Sequence, residues 1–143
     1  MTKEAKARIK INKLLEEAGW RFEDDNNIKA NIKLEENIKF KDCDNDFENS
    51  QTHDGRRGAI DFLLLDKDKR PLVVVEAKKE SIDPLSAKEQ ARNYAKNVGA
   101  RFIILSNGNL HYFGIPSMAI PKQFLVFQLK NHLRNMKNIF QTR

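Results

Sequence analysis

Two acidic residues and a lysine lie at the ends of two apolar segments in the middle of the chain. Asp61 begins the apolar part of AIDFLLLD, and Glu76 and Lys78 follow the valines of RPLVVVEAKK. Both segments have the composition of β-strands, and the charged turn KDKR joins them. Because side chains alternate along a strand, we expect Glu76 and Lys78 on the same face, with Ala77 directed into the packing.

The expected register of this hairpin sets the two acids opposite each other. A symmetric turn centred between Asp68 and Lys69 pairs residues whose numbers sum to 137. The predicted pairs are Asp66 with Pro71, Leu64 with Val73, and Asp61 with Glu76. A slip of one residue stays open, because the turn type that would fix the register is not known from the sequence.

Facing carboxylates at the end of an apolar hairpin are difficult to explain by stability alone. The negative charges repel, and a buried charge without compensation costs on the order of several kcal/mol. A divalent cation between them removes that cost, and Mg²⁺ commonly binds carboxylates together with water and phosphate oxygens. The Lys78 ammonium could then stabilise the charge of a phosphorane or assist deprotonation of the attacking water. The simpler alternative is a strand end that emerges into solvent, where charged residues are common.

Length and composition indicate one globular domain, residues 1–143. The chain has 143 residues, 40% of them hydrophobic and 32% charged, which is sufficient for a single core. No apolar run approaches the roughly 20 residues that span a bilayer, and no secretory signal is present, so we expect no membrane partner. Cys43 is the single cysteine, which excludes an internal disulfide and favours a reducing, cytoplasmic location.

The net charge of +6 is concentrated in the last third of the sequence. Residues 81–143 hold 9 Lys/Arg against 2 Asp/Glu, whereas residues 41–80 hold 8 against 10. A basic segment of this kind is typical of proteins that bind nucleic acid, and a solvated basic helix explains it equally well. The Gly-x-x-x-x-Gly-Lys-[Ser/Thr] motif is missing, so the sequence predicts no P-loop ATP site.

Hydrophobic periodicity and chain breakers predict an α/β fold, a mixed sheet flanked by helices in the order α-β-β-β-α-β-β-α. The predicted elements are a first helix, a strand within 28–34, the central hairpin, a helix at 84–98, two strands around Asn107-Gly108 and a last helix opened by Pro121. The apolar stripe of the first helix consists of Ile9, Ile11, Leu14, Leu15 and Ala18. Two signals announce the start of the helix at 84–98, Asp83 followed by Pro84 and a capping box formed by Ser86 and Glu89. Gly99 ends the helix.

The helix at 84–98 has three distinct faces. Its apolar stripe is Ala87, Ala91, Ala95 and Val98, its basic stripe is Lys88, Arg92 and Lys96, and Gln90 and Tyr94 lie at the border of the apolar stripe. The basic stripe is either a DNA-binding surface or a solvated face, and Tyr94 is either functional or a tyrosine at the edge of the core.

The remaining candidates have less to support them. His53 and His111 are isolated and are predicted at the surface, and Cys43 has no base partner and is expected to be inert. Trp20 and Phe22 are expected to cap the core behind the first helix. Residues 41–54 are polar and rich in chain breakers, which predicts an irregular loop.

The segments AIDFLLLD and RPLVVVEAKK resemble the (P)D-(D/E)xK nuclease signature. The longer arrangement resembles the N-terminal nuclease region of the restriction subunit of type I restriction-modification enzymes. The matching features, over roughly residues 4 to 115, are Ala18-Gly19-Trp20, Gly58-Ala59-Ile60-Asp61, Glu76-Ala77-Lys78, the Gln-x-x-x-Tyr pair Gln90 and Tyr94, and Asn107-Gly108. Ile60 stands where the name of the motif has proline, and this departure leaves the ligands untouched.

The resemblance implies an endonuclease domain with a restriction-endonuclease-like core that hydrolyses DNA phosphodiester bonds with Mg²⁺, or Mn²⁺ as a substitute. By this resemblance Asp61, Glu76 and the Ala77 carbonyl would be metal ligands, Lys78 the catalytic lysine, and Gln90 and Tyr94 auxiliary residues near the substrate strand. Glu4 or Glu17 would supply a further acid, and the sequence does not choose between them.

The same resemblance implies double-stranded DNA as substrate and modification and specificity subunits as partners, with helicase domains outside this chain. The first alternative is a catalytically degenerate nuclease fold that binds DNA or a partner subunit. The second is a structural domain in which the charges at the strand ends are incidental.

Overall fold

A mixed β-sheet forms the centre of the fold. The computed structural model describes residues 3–24, 29–34, 61–117, 122–124 and 126–141, and within these ranges six strands form one sheet. The elements are α1 (Lys3–Glu17), β1 (Ile32–Leu34), β2 (Phe62–Leu65), β3 (Pro71–Ala77), a 3-10 helix (Pro84–Ala87), α2 (Lys88–Val98), β4 (Phe102–Ser106), β5 (His111–Gly114), β6 (Lys122–Phe124) and α3 (Val126–Gln141).

The strands lie in the sheet in their order along the chain, β1-β2-β3-β4-β5-β6. The pairing of β3 with β4 is parallel, and the other described pairs are antiparallel. A parallel pair needs a crossover connection, and the segment with the 3-10 helix and α2 provides it. The predicted mixed α/β sheet flanked by helices is confirmed.

The register of the β2–β3 hairpin agrees with the prediction along most of its length. Phe62 pairs with Val75 and Leu64 with Val73, but Leu65 rather than Asp66 pairs with Pro71. The predicted pair of Asp66 with Pro71 is therefore wrong. The cause is the turn, in which Lys69 has a left-handed φ of 63° and the Asp66 carboxylate accepts from the N–H groups of Asp68 and Arg70. These local bonds make the turn asymmetric and shift the register at its end only.

Helices cover both faces of the sheet. One core cluster contains Leu15, Trp20, Val73 and Leu133 and joins α1 and α3 to the sheet. The Trp20 indole N–H donates to the Leu133 carbonyl at 3.0 Å, so Trp20 is a fully buried core residue.

The second core cluster lies under α2, on the opposite face of the sheet. It contains the predicted apolar stripe Ala87, Ala91 and Ala95, with Val98 packed against it. Ile9 of α1 departs from the prediction because it is exposed, while Ala7 occupies the buried position on that helix.

The structure defines the start of the segment before α2 and the length of the β4–β5 loop. Asp83 accepts from the Leu85 N–H and caps the 3-10 helix, so the first of the two predicted helix starts is confirmed and α2 follows at Lys88. The Asn107-Gly108 hairpin is confirmed, with a four-residue loop because Ser106 pairs with His111.

The last helix does not begin at Pro121. Residues 122–124 form β6 and pair with β5, and α3 begins at Val126. This pairing is made between backbone groups, so the side chains of 122–124 do not reveal it.

Some predictions fall outside the described residues. These are the strand start at Gly58-Ala59-Ile60, the loop at 41–54, Cys43, His53 and the Ile28 end of the first strand. Among the residues that are described, none of the helices is both long and apolar enough to cross a membrane.

Two glycines with left-handed φ values provide a matched test of the packing between α1 and the β4–β5 loop. A Cβ on Gly99 (φ +77°) would meet no atom within 4 Å, whereas one on Gly108 (φ +93°) would lie 3.0 Å from Lys10 Cδ and 3.5 Å from Ala7 Cα. We expect Gly99→Ala to lower the unfolding free energy by about 1 kcal/mol and Gly108→Ala by about 2 kcal/mol. Urea denaturation measures both, and equal losses would contradict the close packing at Gly108.

Candidate active site

The two carboxylates predicted to face each other lie at the same end of the sheet. Asp61 directly precedes β2 and Glu76 is the next-to-last residue of β3. Continuing the register by one residue past the Phe62–Val75 pair sets Asp61 opposite Glu76. Both are buried, with 5% of Asp61 and 6% of Glu76 exposed. Two acids are therefore withdrawn from solvent side by side, which excludes a simple emergence of the strand end into water.

The carboxylate of Asp61 is held by two different groups. Its Oδ2 accepts from the Ala77 N–H at 2.6 Å, and its Oδ1 forms an ion pair with Arg8 Nη2 at 2.5 Å. The first contact belongs to the backbone of β3, so the sheet itself fixes the position of this side chain. The second comes from α1, which brings a cation to the end of the hairpin.

Glu76 and Lys78 share one face of the sheet. Glu76 alternates with Val74 and pairs with Leu105 in β4, and both of these belong to the cluster under α2. The Lys78 N–H donates to the Ser106 carbonyl at 2.8 Å, which continues the parallel ladder past the end of β3. If the alternation continues past β3, the half-buried side chain of Lys78 lies on the same side as Glu76.

The chemistry of these donors fits a hard divalent cation. Within the described ranges no three His, Cys, Asp or Glu side chains gather as a metal site. The acids that the hairpin register sets opposite each other are Asp61 and Glu76. Mg²⁺ is typically bound by one or two carboxylates, with the remaining positions taken by water and substrate oxygens. Two buried acids on neighbouring strands, one already beside a guanidinium, are an environment in which added positive charge is stabilising.

Gln90 and Tyr94 lie together on α2. The Gln90 Nε2 donates to the Tyr94 hydroxyl at 2.6 Å. Tyr94 is fully buried and belongs to the same cluster as Leu105, the partner of Glu76 in β4. Tyr94 is therefore a core residue whose polar end is bonded to Gln90, and α2 holds the pair above the sheet face that carries Glu76.

The predicted basic stripe of α2 divides into residues with different environments. The Arg92 Nε donates to the Pro116 carbonyl at 3.2 Å, and its Nη1 lies 3.3 Å from the Glu89 carboxylate. Lys96 is exposed and Lys88 is half-buried. Arg92 thus has a role in holding the segment after β5, and Lys96 has the solvent exposure that a phosphate contact requires.

The two candidates for an additional acid are separated by their positions on α1. The Glu17 carboxylate pairs with Lys130 of α3 at 3.0 Å, and the hydrogen bond and charge of that lysine lower the pKa of Glu17. Nine residues, or about 13 Å along the helix axis, separate Glu17 from Arg8. Glu4 precedes Arg8 by one helical turn. Glu17 therefore contributes to the contact between α1 and α3, and Glu4 lies nearer to Arg8 along the helix.

His111 is buried, which makes its predicted surface location wrong. Its Nδ1 lies 2.7 Å from Ser106 Oγ, the hydroxyl that also accepts from the Gly108 N–H at 3.0 Å. The reason is the hairpin itself, because the pairing of Ser106 with His111 gives the imidazole a polar partner inside the fold. Burial lowers the pKa of His111 from 6.5 to about 4. A neutral imidazole that accepts from Ser106 fits this environment.

Arg8 is the site residue that sequence reasoning missed. It lies on the buried stripe of α1 that also carries Ile11, Leu15 and Ala18, at alternating spacings of three and four residues. An arginine on an apolar stripe signals a buried partner, because a guanidinium is rarely withdrawn from water without a counter-charge. The signal was present in the sequence, but the partner, Asp61, is far away along the chain.

Comparisons with known proteins agree with the predicted resemblance. The sequence matches the family model described as type I restriction enzyme R protein N terminus over residues 24–120. The fold is similar to that of a fragment assigned to the HsdR subunit of a type I restriction enzyme from Vibrio vulnificus YJ016, with a TM-score of 0.61 and 24% sequence identity. The alignment covers 96% of this chain and 26% of that chain, and at this identity it supports the fold alone. No curated protein matches the sequence.

The burial of His111 gives a pH dependence of stability with a defined sign. Its folded-state pKa of about 4 lies below the usual 6.5, so the unfolded chain binds the additional proton between these values. The stabilisation is fully present above pH 6.5 and is lost as the pH falls towards 4, by up to about 1.4 kcal/mol per pH unit. We expect His111→Gln to flatten this part of the profile in urea denaturation. An unchanged difference between the two proteins from pH 7 to pH 4 would contradict the assignment.

Proposed function

We propose that this chain, which belongs to the family of type I restriction enzyme R protein N-termini, is the domain of a restriction subunit that cuts DNA. The observation that carries the proposal is the burial of Asp61 and Glu76 at the same end of the hairpin. Strand alternation would bring Lys78 to the face of Glu76. The Ala77 N–H and the Arg8 guanidinium stabilise Asp61, and a divalent cation for phosphodiester hydrolysis would give the two neighbouring acids a shared counter-charge. The core would then be of the restriction-endonuclease-like PD-(D/E)xK type.

Asp61, Glu76 and the Ala77 carbonyl would hold the cation, Mg²⁺ or its substitute Mn²⁺. When bound, such an ion acidifies a water molecule and neutralises charge on a phosphate. The chain itself supplies the fixed framework for it. The Asp61 carboxylate is oriented by the backbone N–H of Ala77, and the backbone of Glu76 is fixed in β3 beside β4.

Lys78 would contribute a positive charge at the reacting phosphate. Its backbone is anchored by the hydrogen bond to Ser106, while its side chain is half-buried and belongs to the face that carries Glu76. An ammonium in this position stabilises negative charge that develops on phosphate oxygens and orients the water that attacks. Lys79, the next residue, is exposed and lies on the other side of the alternation.

Two facts support DNA as the proposed substrate, the lysines on one stripe of α2 and the family to which the chain belongs. Lys96 is exposed, and Lys88 lies two helical turns before it on the same stripe of α2. Contacts from such lysines to phosphates position a duplex without reading its sequence. Selection of the DNA site would accordingly come from specificity and modification subunits, and translocation from helicase domains outside this chain. Gln90 would contact the substrate strand from α2, and the buried Tyr94 would position Gln90 through the hydrogen bond between them.

Metal binding tests the proposed site directly. We expect the full chain to bind Mn²⁺ saturably in isothermal titration calorimetry, and we expect Glu76→Gln to abolish this binding while the protein stays folded. In the presence of a chelator the unfolding free energy of Glu76→Gln should equal or exceed that of the unmodified chain, because one of two repelling buried charges is gone. Glu89→Gln, an exposed acid on α2, is the matched control and should bind Mn²⁺ unchanged.

The absence of saturable Mn²⁺ binding to the unmodified chain would count against the nuclease proposal. It would favour the alternative of a nuclease-like fold that binds DNA or a partner subunit without catalysis.

The role of Lys78 is tested in the complete restriction enzyme. We expect Lys78→Ala to reduce DNA cleavage at least about a hundredfold, as loss of a group that stabilises the transition state usually does, with Mn²⁺ binding retained. Lys79→Ala removes the same charge from the neighbouring exposed position and should leave cleavage intact. Full cleavage by the Lys78→Ala enzyme in a gel assay with plasmid DNA would show that the proposed mechanism is wrong.

A further inference from the structure

The ion pair between Arg8 and Asp61 is not used by the proposed reaction. Arg8 comes from the first turns of α1, and its side chain is 27% exposed, whereas that of Asp61 is 4% exposed. The pair therefore joins a helix on one face of the sheet to the acid that would bind the metal. Loss of either partner would leave the other charge without this compensation, so a ligand of Asp61 must coexist with Arg8 or replace it.

The two oxygens of Asp61 differ in how firmly their partners are held. The donor to Oδ2 is the Ala77 N–H, which belongs to the backbone of β3 and cannot move away while the sheet is intact. A donor to Oδ1 is the Arg8 guanidinium, at the end of a long side chain that is 27% exposed and has several rotatable bonds. Of the two contacts, the one with Arg8 is the one that a competing ligand can displace.

A divalent cation at Asp61 and the Arg8 guanidinium would compete for the same negative charge. A guanidinium beside a carboxylate generally weakens the binding of a proton to it by about tenfold to a thousandfold, and the origin of the effect is electrostatic. Repulsion of a doubly charged ion by the same group is larger at equal distance. Without the metal, however, the guanidinium provides compensation for a buried acid.

We propose that Arg8 is a positioning residue that takes the place of the metal's charge at Asp61 in the metal-free site and leaves Oδ1 when the cation binds. The inference rests on the proposed function, since it requires a metal at Asp61. It makes metal binding an exchange of one cation for another, so that the burial of Asp61 is compensated in both states. It also couples the occupancy of the site to the side chain of a residue on α1.

The test compares Arg8→Gln with the unmodified full chain, using Mn²⁺ alone as the probe. We expect the variant to bind Mn²⁺ about tenfold more tightly in isothermal titration calorimetry, because the competing charge is removed. In chelator its Tm should lie below that of the unmodified chain, and saturating Mn²⁺ should reduce this difference. Lys130→Gln is the matched control, because it removes one charge and the ion pair of Lys130 with Glu17, and its Mn²⁺ affinity should be unchanged.

The outcomes separate this inference from the proposed function. If the unmodified chain binds Mn²⁺ and Arg8→Gln binds it equally well or more weakly, Arg8 does not compete with the metal and the inference alone fails. If neither protein binds Mn²⁺, the proposed metal site fails as well.

A second measurement does not depend on the folding of a variant. In ¹⁵N-labelled unmodified chain, titration with Mg²⁺ should shift the Arg8 Nε–H resonance with the same saturation as the backbone resonance of Ala77. An Arg8 resonance that stays unchanged while Ala77 shifts would overturn the proposal.

Discussion

The burial of two like charges at one end of the sheet is the constraint on which the described structure depends. Asp61 and Glu76 are placed there by the hairpin register, which continues from the observed pairs Leu64–Val73 and Phe62–Val75. A carboxylate withdrawn from water needs donors, and Asp61 obtains one from the β3 backbone and one from α1. The first helix is therefore more than a cover for the core. It carries the charge that makes the buried acid tolerable.

The parallel pairing of β3 and β4 positions further residues at the end of the sheet that carries Asp61 and Glu76. A parallel neighbour forces the chain to cross over the sheet, and the crossover brings α2 onto the face of Glu76. The same pairing continues one residue past β3, where the Ser106 carbonyl anchors Lys78. Each residue of the proposed site is thus attached to a regular element, and this rigidity is what a reaction centre requires. Membership of the restriction-subunit family agrees with a site built in this way.

The central hairpin was predictable because its signal is local. Two apolar runs joined by a short charged turn predict the register of three successive pairs, and the prediction is wrong only at the turn, where Lys69 adopts a left-handed conformation. Three other contacts were not predictable in the same way. The pairing of 122–124 with β5 and the contact of His111 with Ser106 join residues that are near each other in the chain, but no composition pattern marks them, whereas the ion pair of Arg8 joins α1 to the distant Asp61. Asp61, Glu76 and Lys78 could be proposed from the sequence because they lie on one hairpin, and Arg8 could not because it lies on another element.

The position of Trp20 has a consequence for how this protein can be observed. The chain contains one tryptophan, and its buried indole is hydrogen-bonded to the Leu133 carbonyl at the contact between the end of α1 and α3. The emission of an indole depends on its solvation and on the bond made by its N–H. Because α1 also carries Arg8, an event that shifts this helix changes the environment of the single tryptophan. The protein therefore contains an intrinsic optical reporter of the helix that contacts the proposed site, with no label added.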